Sequence, residues 1–411
     1  KPDFIPEISN VPVNGRVFDS DEVKELVKAS LEFWLTDGEY SEKFSEKMSN
    51  FLNMKFVRLV NSGSSANLVA LSSLTNKKIK NNLNSGDEVV TSAVGFPTTV
   101  NPIFQNNLIP VFVDSEIGTY NPNPNDIIEA CGPETKAIML AHTLGNPVEI
   151  QKIKDFCADK NIWLIEDNCD APGSKYEDKL TGTFGDISTL SFYPAHHITM
   201  GEGGAVITNS TKLKLSIDSF RDWGRDCWCK SGHDDTCGKR FDWQLGELPY
   251  GYDHKFTYSN IGYNLKATDL QASIGYKQMD KLDDFILSRK KNWEKINTFI
   301  EDKQDFFIPH MKTKNSEPSW FGYALTVKDN DKFTRDDIVK YLNENRIATR
   351  LMFGGNLVRQ PAYENKKFKT YKELNNADTV MKSSFWIGVY PGLSEEMIDY
   401  ILNKFDIFLN I

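Results

Sequence analysis

The chain has 411 residues, of which 40% are hydrophobic and 26% charged, with a formal net charge of −9 at pH 7 and an isoelectric point of about 5.4. This length exceeds what one hydrophobic core usually supports, so we expect two domains of an ordinary globular protein. Interspersed acids and bases exclude a basic nucleic-acid surface, the apolar runs are too short to span a bilayer, and the first residues lack the apolar core of a signal peptide, so we expect a cytoplasmic protein.

The first predicted element is an amphipathic helix. Asp19 and Glu22 form a capping pair that marks its start, and apolar residues then recur at helical spacing. Those apolar residues are Val23, Leu26, Val27, Leu31, Trp34 and Leu35.

Short β-rich runs that alternate with helical patterns come next. They are 56-FVRLV, 88-EVVTS, 108-LIPVFVD, 137-AIMLAH, 162-IWLIED, 187-ISTLSF and 204-GAVIT. Seven apolar strands with intervening helices predict a mostly parallel seven-stranded sheet covered on both faces. We therefore predict a large α/β domain over residues 1–265.

The pattern of apolar and polar residues changes after about residue 260. A long amphipathic stretch from about Asp269 to Glu301 is followed by a mixture of strand-like and helix-like runs. These runs are 323-YALTV, 335-RDDIVKYLNENR, 348-ATRLMF, 386-WIGVY and 394-SEEMIDYILNKF. They predict a smaller α+β domain over residues 266–411, which the long helix joins to the first domain because no Gly/Ser-rich linker separates the two.

Two segments of the large domain have the pattern of a ligand site. The segment 61-NSGSSANL follows a strand and opens a helix, where small residues and the helix N-terminus favour a bound phosphate. The strand 162-IWLIED ends in Glu166 and Asp167, at the strand end where parallel sheets bind ligands. Taken alone, a capped helix and an acid in a turn are the simpler explanations of these segments.

The cysteines form a second pattern. Cys227, Cys229 and Cys237 cluster in the irregular loop 225–240, where they share no helical or strand face. Thiolates are ligands for zinc or an iron–sulfur cluster, and a fourth ligand is required, for which His233 and Cys169 are the candidates. The remaining Cys131 and Cys157 are predicted to be structural.

The segment 191-SFYPAHHITMGEGG is a third part of the predicted ligand site. Together with the two ligand-site segments it resembles the sugar aminotransferases of the DegT/DnrJ/EryC1/StrS family, in which a lysine that binds pyridoxal phosphate (PLP) follows the Ser-Phe pair. Here His196 occupies that position, and no lysine occurs between Lys179 and Lys212. Since histidine can move a proton but cannot form a stable imine, a cofactor would be bound noncovalently.

The resemblance implies a PLP-dependent fold of type I, like that of aspartate aminotransferase. It also implies a homodimer whose active sites are shared between subunits. The residues it assigns to the cofactor are Gly63, Ser64, Ser65 and Ser191 at the phosphate, Phe96 on the ring, Asp167 at the ring nitrogen and, from the neighbouring subunit, Asn264.

The cysteine spacing resembles one branch of that family. From Cys169, 57 residues precede Cys227, one residue precedes Cys229 and seven precede Cys237. This is similar to the [2Fe–2S], pyridoxamine phosphate (PMP)-dependent 3-dehydrases of CDP-6-deoxy-L-threo-D-glycero-4-hexulose, which lead to 3,6-dideoxyhexoses and also carry the histidine. The similarity extends from 11-VPVNGRVFD to 349-TRLMFGGNLVRQPAY.

This second resemblance implies a reaction and its partners. His196 would be the base that permits loss of the 3-hydroxyl from a CDP-linked 4-keto-6-deoxyhexose, and Tyr193 would orient it. The four cysteines would hold a [2Fe–2S] cluster that passes electrons from an NADH-dependent iron–sulfur flavin reductase. Arg350 and Arg359 would bind the nucleotide diphosphate, with surface or ion-pair roles as the alternative.

Two rival hypotheses stand beside this one. A glutamate-dependent, PLP-containing 3-dehydrase of a GDP-sugar would share His196 but would not need four spaced cysteines. A zinc-binding protein without enzymatic activity would explain the cysteines but not the presence of Asp167, Ser191 and the phosphate segment.

Overall fold

The computed structural model describes residues 3–410, and within that range the chain folds into twelve α-helices and fifteen β-strands. The helices are α1 Ser20–Glu32, α2 Glu39–Leu52, α3 Gly63–Ser73, α4 Pro97–Gln105, α5 Pro124–Glu129, α6 Ile150–Lys160, α7 Thr211–Arg221, α8 Asp269–Gln278, α9 Leu282–Glu301, α10 Arg335–Glu344, α11 Asn375–Ser383 and α12 Glu395–Leu409. The strands are β1 Phe56–Val60, β2 Glu88–Ser92, β3 Ile109–Val113, β4 Thr135–Ala141, β5 Trp163–Asp167, β6 Lys175–Tyr176, β7 Lys179–Leu180, β8 Ile187–Ser191, β9 Gly204–Thr208, β10 Phe307–Pro309, β11 Ser316–Glu317, β12 Gly322–Val327, β13 Thr349–Leu351, β14 Lys369–Tyr371 and β15 Ser384–Gly388.

The centre of the large domain is a sheet whose described strands follow the order β1-β9-β8-β5-β4-β2-β3-β14. From β8 to β14 all neighbours are parallel, whereas β9 runs antiparallel to both β1 and β8. All seven predicted strands are present, and the mostly parallel α/β fold is confirmed. The sheet has an eighth strand, β14, which the sequence analysis missed because its three residues are largely exposed and show no apolar pattern.

Helices cover both faces of this sheet. The neighbouring residues Val89 and Val90 of β2 point in opposite directions and pack into two different apolar clusters. The first cluster contains Val69 of α3, and the second contains Ile153 of α6. Burial on both faces explains why the strands are continuous apolar runs rather than alternating ones.

The smaller C-terminal α+β fold is also confirmed. Strands β10, β12, β15 and β13 form an antiparallel sheet, which packs with α9, α10 and α12 around a core that includes Trp293 and Phe385. The predicted long helix is two helices, since a turn of 3₁₀ helix at Met279–Lys281 separates α8 from α9. Strand β14 lies beyond residue 265 but joins the large sheet, so the division at residue 265 stays a prediction.

The first helix forms but ends at Glu32, before the predicted Trp34 and Leu35, and it leaves its apolar side exposed. Asp19 and Glu22 make the reciprocal hydrogen bonds of a capping box at the start of α1. Val27 and Leu31 nevertheless expose 52% and 82% of their surfaces in the single chain. Between residues 3 and 410 we find no helix with the length and apolar character needed to cross a bilayer.

Candidate active site

A cavity of about 520 Å³ lies where the carboxyl ends of the parallel strands meet the starts of α3 and α4. Its wall is completed by residues of the smaller sheet, among them Arg350 and Trp386. The sequence-predicted residues that line it are Gly63, Ser64, Phe96, Asp167, Cys169, Ser191, Tyr193, His196 and Arg350. The fold therefore brings most of the predicted site together, from five separate segments of the chain.

One end of the cavity is formed by the start of α3. Ser62 caps this helix by accepting a hydrogen bond from the Ser65 backbone N–H at 3.0 Å. A Cβ atom on Gly63 would lie 2.4 Å from the Cβ of Ser191, so glycine is needed for β8 to approach the helix start. Backbone N–H groups and a hydroxyl at a helix N-terminus suit a phosphate. Ser65 does not line the cavity, and its N–H is occupied by the cap.

Asp167 ends β5 and is held by three hydrogen-bond donors. Its Oδ2 accepts from Asn67 Nδ2 and from the Thr99 hydroxyl, both at 2.7 Å, and Oδ1 accepts from the Cys169 backbone N–H at 3.2 Å. Thr189 in turn donates to Asn67 Oδ1 at 2.6 Å. An oriented carboxylate that faces the cavity fits a protonated pyridine nitrogen.

His196 lies in the turn after β8, beside the cavity. Its Nδ1 is 3.5 Å from Asp170 Oδ1, and its ring centroid is 5.1 Å from that of Phe321. Burial lowers the pKa of His196 to about 4, although the charge of Asp167 acts in the opposite direction. The imidazole is therefore neutral near pH 7 and can accept a proton.

The main chain of this turn is fixed as well. The His196 N–H donates to the Tyr193 carbonyl at 2.9 Å, and the His196 carbonyl accepts from Arg289 Nη2 at 3.2 Å. The Tyr193 residue is 51% exposed, and the group beside the imidazole is the Asp170 carboxyl, whose pKa is raised to about 8 by burial. The predicted orienting role of the Tyr193 side chain stays a prediction.

Phe96 stands at the cavity mouth and is 53% exposed. Its ring is perpendicular to that of Phe353 at a centroid distance of 6.0 Å. An exposed aromatic ring at this place suits stacking on another ring.

Two predicted contacts lie outside this cavity. Arg359 pairs with Asp378 through two hydrogen bonds of 3.1 and 2.9 Å, so it has the ion-pair role that the sequence left open. Asn264 accepts a hydrogen bond from Lys266 at 3.0 Å and does not line the cavity of its own chain. A role for Asn264 at a cofactor site therefore requires a second subunit.

The cysteines do not form the predicted ligand set. Cys169 lines the cofactor-sized cavity, whereas Cys227 and Cys229 line a different one beside Lys266. The cysteine loop packs against α2, where Lys230 pairs with Glu42 at 2.7 Å. Across residues 3–410, no three His, Cys, Asp or Glu side chains are grouped to hold a metal ion.

Among the described residues the four thiols are not grouped as the ligands of a [2Fe–2S] cluster, and His233 does not complete a zinc site with the loop cysteines. The cluster and its four ligands therefore stay a prediction. Cys131 and Cys157 pack in or against the apolar cluster on the α6 face, and burial raises the pKa of both thiols to about 12.

Comparison with known proteins gives a consistent result. Residues 17–406 match the model of the DegT/DnrJ/EryC1/StrS aminotransferase family. The chain is 50% identical to the lipopolysaccharide biosynthesis protein RfbH of Salmonella typhimurium, over 99% of this chain and 94% of that protein. It is 49% identical to the dTDP-4-dehydro-2,6-dideoxy-D-glucose 3-dehydratase of Saccharopolyspora spinosa, over 98% of this chain and 87% of that one.

A solved structure extends the comparison to the fold. The Escherichia coli GDP-4-keto-6-deoxy-D-mannose-3-dehydratase with bound hydrated PLP superposes with a TM-score of 0.86 at 27% identity, covering 96% of this chain and 99% of that one. This similarity confirms the predicted PLP-dependent fold.

Proposed function

The chain belongs to the DegT/DnrJ/EryC1/StrS aminotransferase family, and we propose that it is a 3-dehydratase of a nucleotide-linked 4-keto-6-deoxyhexose that uses PMP or PLP. The observation that carries the proposal is His196, a neutral buried base at the cofactor cavity where the aminotransferases carry lysine. The relatives named as 3-dehydratases, on dTDP- and GDP-linked sugars, support the same reaction.

The residues of the cavity fit this cofactor. PMP supplies an amine that can condense with the 4-keto group and a ring that accepts electrons. Gly63, Ser64 and Ser191 would bind its phosphate, Phe96 would cover the ring and Asp167 would hold the ring nitrogen. His196 would take a proton from the carbon that bears the amine, which prepares loss of the 3-hydroxyl.

Arg350 is the residue that we propose for the substrate phosphates. It lines the cavity from the smaller sheet, and Nη1 donates to the Thr349 carbonyl at 2.8 Å, which leaves other N–H groups of the guanidinium to bind anions. The predicted CDP-sugar is retained as one candidate beside the dTDP- and GDP-linked sugars of the relatives.

The function is tested by assay of the purified protein with PMP and each of the CDP-, dTDP- and GDP-4-keto-6-deoxyhexoses. We expect ¹H NMR to show loss of the 3-hydroxyl from one of these sugars. Transfer of the amine to the 4-position with the 3-hydroxyl retained would instead identify an aminotransferase.

The structure and the comparisons support the cluster-free account of this reaction better than the cluster-dependent one. The described thiols belong to no group of three or more candidate metal ligands, and the structural neighbour that contains PLP is a dehydratase of a GDP-sugar. The spacing of the cysteines in the sequence is the remaining support for a [2Fe–2S] cluster. The proposed NADH-dependent reductase would be required only if that cluster is present.

Iron and acid-labile sulfide, measured on anaerobically purified protein, distinguish the two accounts. We expect cofactor absorbance without iron, because the described thiols form no ligand set. A full [2Fe–2S] complement that is lost in Cys169→Ser and kept in Cys157→Ser would contradict this expectation. That outcome would also show that the loop 225–240 adopts a different position in the native protein.

We also propose a homodimer with shared active sites. The exposed apolar side of α1, with Val27 and Leu31, and the exposed residues Tyr250 and Ile261 are large apolar surfaces for a single chain. Asn264 follows the exposed Ile261 by three residues and does not line the cavity of its own chain. A second copy would bury the surface and bring Asn264 towards the neighbouring cofactor.

Mixing two inactive variants tests the shared site. Asn264→Ala and His196→Asn subunits, once exchanged, should recover about one quarter of wild-type activity, because about half of the dimers are mixed and each has one intact site. No recovery after subunit exchange verified by native mass spectrometry would contradict a shared site. Recovery without exchange would point to contamination and is excluded by assaying each variant alone.

A further inference from the structure

The segment that precedes α1 is held at both of its ends. The Val11 N–H donates to the Arg346 carbonyl, and the Ala348 N–H donates to the Val11 carbonyl, both at 2.9 Å. At the other end, Gln278 of α8 donates from Nε2 to the Val17 carbonyl at 3.1 Å. Residues 11–17 are therefore attached to the smaller domain on one side and to α8 on the other.

Close packing also fixes the middle of this segment. Val13 is buried, and a Cβ atom on Gly388 at the end of β15 would lie 2.2 Å from the Val13 carbonyl oxygen. Likewise, a Cβ atom on Gly15 would lie 2.8 Å from the hydroxyl oxygen of Tyr390. Because both neighbours of Asn14 approach the smaller domain this closely, the main chain at residue 14 has little freedom to move.

Asn14 lies where two cavities meet. It lines the cavity of about 520 Å³ and also a second cavity of about 280 Å³, whose wall is mostly apolar and includes Phe18 and Leu26. The residues common to both cavities are Asn14, Ala195 and His196. Asn14 and the proposed base therefore belong to the same part of the wall.

The side chain of Asn14 is an unused polar group of this wall. Val11 and Val13 are buried in two different apolar clusters, whereas Asn14 is half-buried. Within residues 3–410, the Asn14 amide makes no hydrogen bond with the protein. Asn67, by contrast, is engaged with the carboxylate at the end of β5. Asn14 thus has both a donor and an acceptor available for a ligand.

A hydroxyl group is the ligand that suits this side chain. An amide and a hydroxyl can each donate and accept, and neither carries a charge. The diphosphate would be served better by the guanidinium of Arg350 on the same cavity. An amide on a fixed main chain also loses little conformational entropy when the ligand binds.

We propose that Asn14 is a specificity-determining residue that binds a hydroxyl group of the hexose. This inference rests on the proposed function for the identity of the ligand. In a nucleotide-linked 4-keto-6-deoxyhexose, C1 carries the nucleotide, C4 the keto group, C5 the ring oxygen and C6 no oxygen. Hydroxyl groups remain only at C2 and C3, close to the carbon at which the cofactor amine condenses.

The 2-hydroxyl separates two classes of substrate. The relative from Saccharopolyspora spinosa is a 3-dehydratase of a 2,6-dideoxy sugar, which lacks this group. A bond from Asn14 to the 2-hydroxyl would make the present chain select 6-deoxy over 2,6-dideoxy sugars. A bond to the 3-hydroxyl would hold the leaving group and would not distinguish the two classes.

The test measures binding to the PLP-loaded protein, which has no cofactor amine and so binds a 4-keto sugar without turnover. Isothermal titration calorimetry gives the dissociation constants of a 4-keto-6-deoxyhexose and its 2-deoxy counterpart. Both carry whichever of CDP, dTDP and GDP the wild type binds most tightly. In Asn14→Ala we expect the 6-deoxy sugar to bind about 10-fold more weakly, as for the loss of one hydrogen bond. The free nucleotide diphosphate should bind as it does to the wild type.

Asn10→Ala is the matched control. Asn10 belongs to the same N-terminal part of the chain and accepts a hydrogen bond from Arg346 at 3.5 Å, but it lines neither cavity. This variant should bind both sugars as the wild type does.

The two sugars identify the hydroxyl. Weaker binding of the 6-deoxy sugar alone assigns the bond to the 2-hydroxyl. An equal loss for both sugars, with binding of the nucleotide diphosphate unchanged, assigns it to the 3-hydroxyl. Unchanged binding of both sugars to Asn14→Ala, or an equal loss for the free nucleotide diphosphate, would overturn the inference.

These outcomes are separate from those that test the proposed function, because binding is measured without turnover. A hydroxyl-dependent loss in a protein that transfers the amine and retains the 3-hydroxyl would support the role of Asn14 and reject the dehydratase. An active 3-dehydratase whose Asn14→Ala variant binds both sugars normally would reject the role of Asn14 alone.

Discussion

Replacing His196 with asparagine should lower the rate of dehydration by about 10²- to 10⁴-fold, the range that a positioned general base contributes. Binding of PMP should be nearly normal, because the proposed phosphate and ring contacts come from Gly63, Ser191 and Asp167, which the substitution leaves in place. Single-turnover assays give the rate, and titration of cofactor absorbance gives the dissociation constant. Dehydration at an undiminished rate would reject His196 as the base.

His196→Lys is the complementary variant. A lysine at this position should form a covalent imine with PLP, because the side chain of residue 196 lines the cofactor cavity. Borohydride reduction followed by mass spectrometry would detect the adduct, and some aminotransferase activity should appear. Persistent noncovalent binding in this variant would mean that residue 196 does not point at the cofactor.

The large sheet was predictable because its strands are buried on both faces. β1, β2 and β9 coincide with the predicted runs and β8 ends one residue before its run, since each is an apolar segment bounded by polar or glycine-rich turns. β14 was not predictable, because three exposed residues carry no pattern. The exposure of the apolar side of α1 was not predictable either, since an amphipathic pattern does not say whether the same chain or a second one covers it.

The sequence predicted the segments that line the cavity but not the hydrogen bonds between their side chains. Asn67 and Thr99 hold Asp167 from positions 100 and 68 residues away in the chain, a relation that no local pattern contains. Asn67 did carry a weak signal, since a buried asparagine inside a helix opposes helix propensity and usually has a partner. Arg289 carried none, because an arginine within an amphipathic helix is usually on the solvent face.

The cysteines show a motif that was specific in sequence but did not predict the arrangement of the side chains in space. Their spacing was the most specific motif in the sequence, yet spacing fixes separation along the chain and not distance in space. The described loop packs on α2 through Lys230 and leaves Cys229 beside Thr236 at 3.0 Å. The resemblance therefore identified the family, while the ligand set depends on a loop whose position the sequence does not determine.

The second large effect is expected from Asp167→Asn. An amide cannot balance the charge of a protonated pyridine nitrogen, so the cofactor ring should lose its capacity to accept electrons, and the dehydration rate should fall by roughly 10²- to 10³-fold. Unlike His196→Asn, this variant should also bind the cofactor more weakly. In one orientation the amide nitrogen would face the donors of both Asn67 and Thr99, and in the other it would face the Cys169 N–H. An unsatisfied pair of this kind costs about 1–3 kcal/mol.

Two measurements and one control decide this last prediction. The ¹⁵N shift of ring-labelled PLP should report a protonated nitrogen in the wild type and an unprotonated one in Asp167→Asn, and kcat should fall in parallel. Asp186→Asn is the matched control, since Asp186 accepts a hydrogen bond from the Leu164 N–H at 2.9 Å and immediately precedes β8, at the opposite end of that strand from the cavity. A protonated ring nitrogen and an unchanged kcat in Asp167→Asn would contradict this prediction. The carboxylate at the end of β5 would then be a structural cap of the following turn, which is the alternative that the sequence pattern allowed.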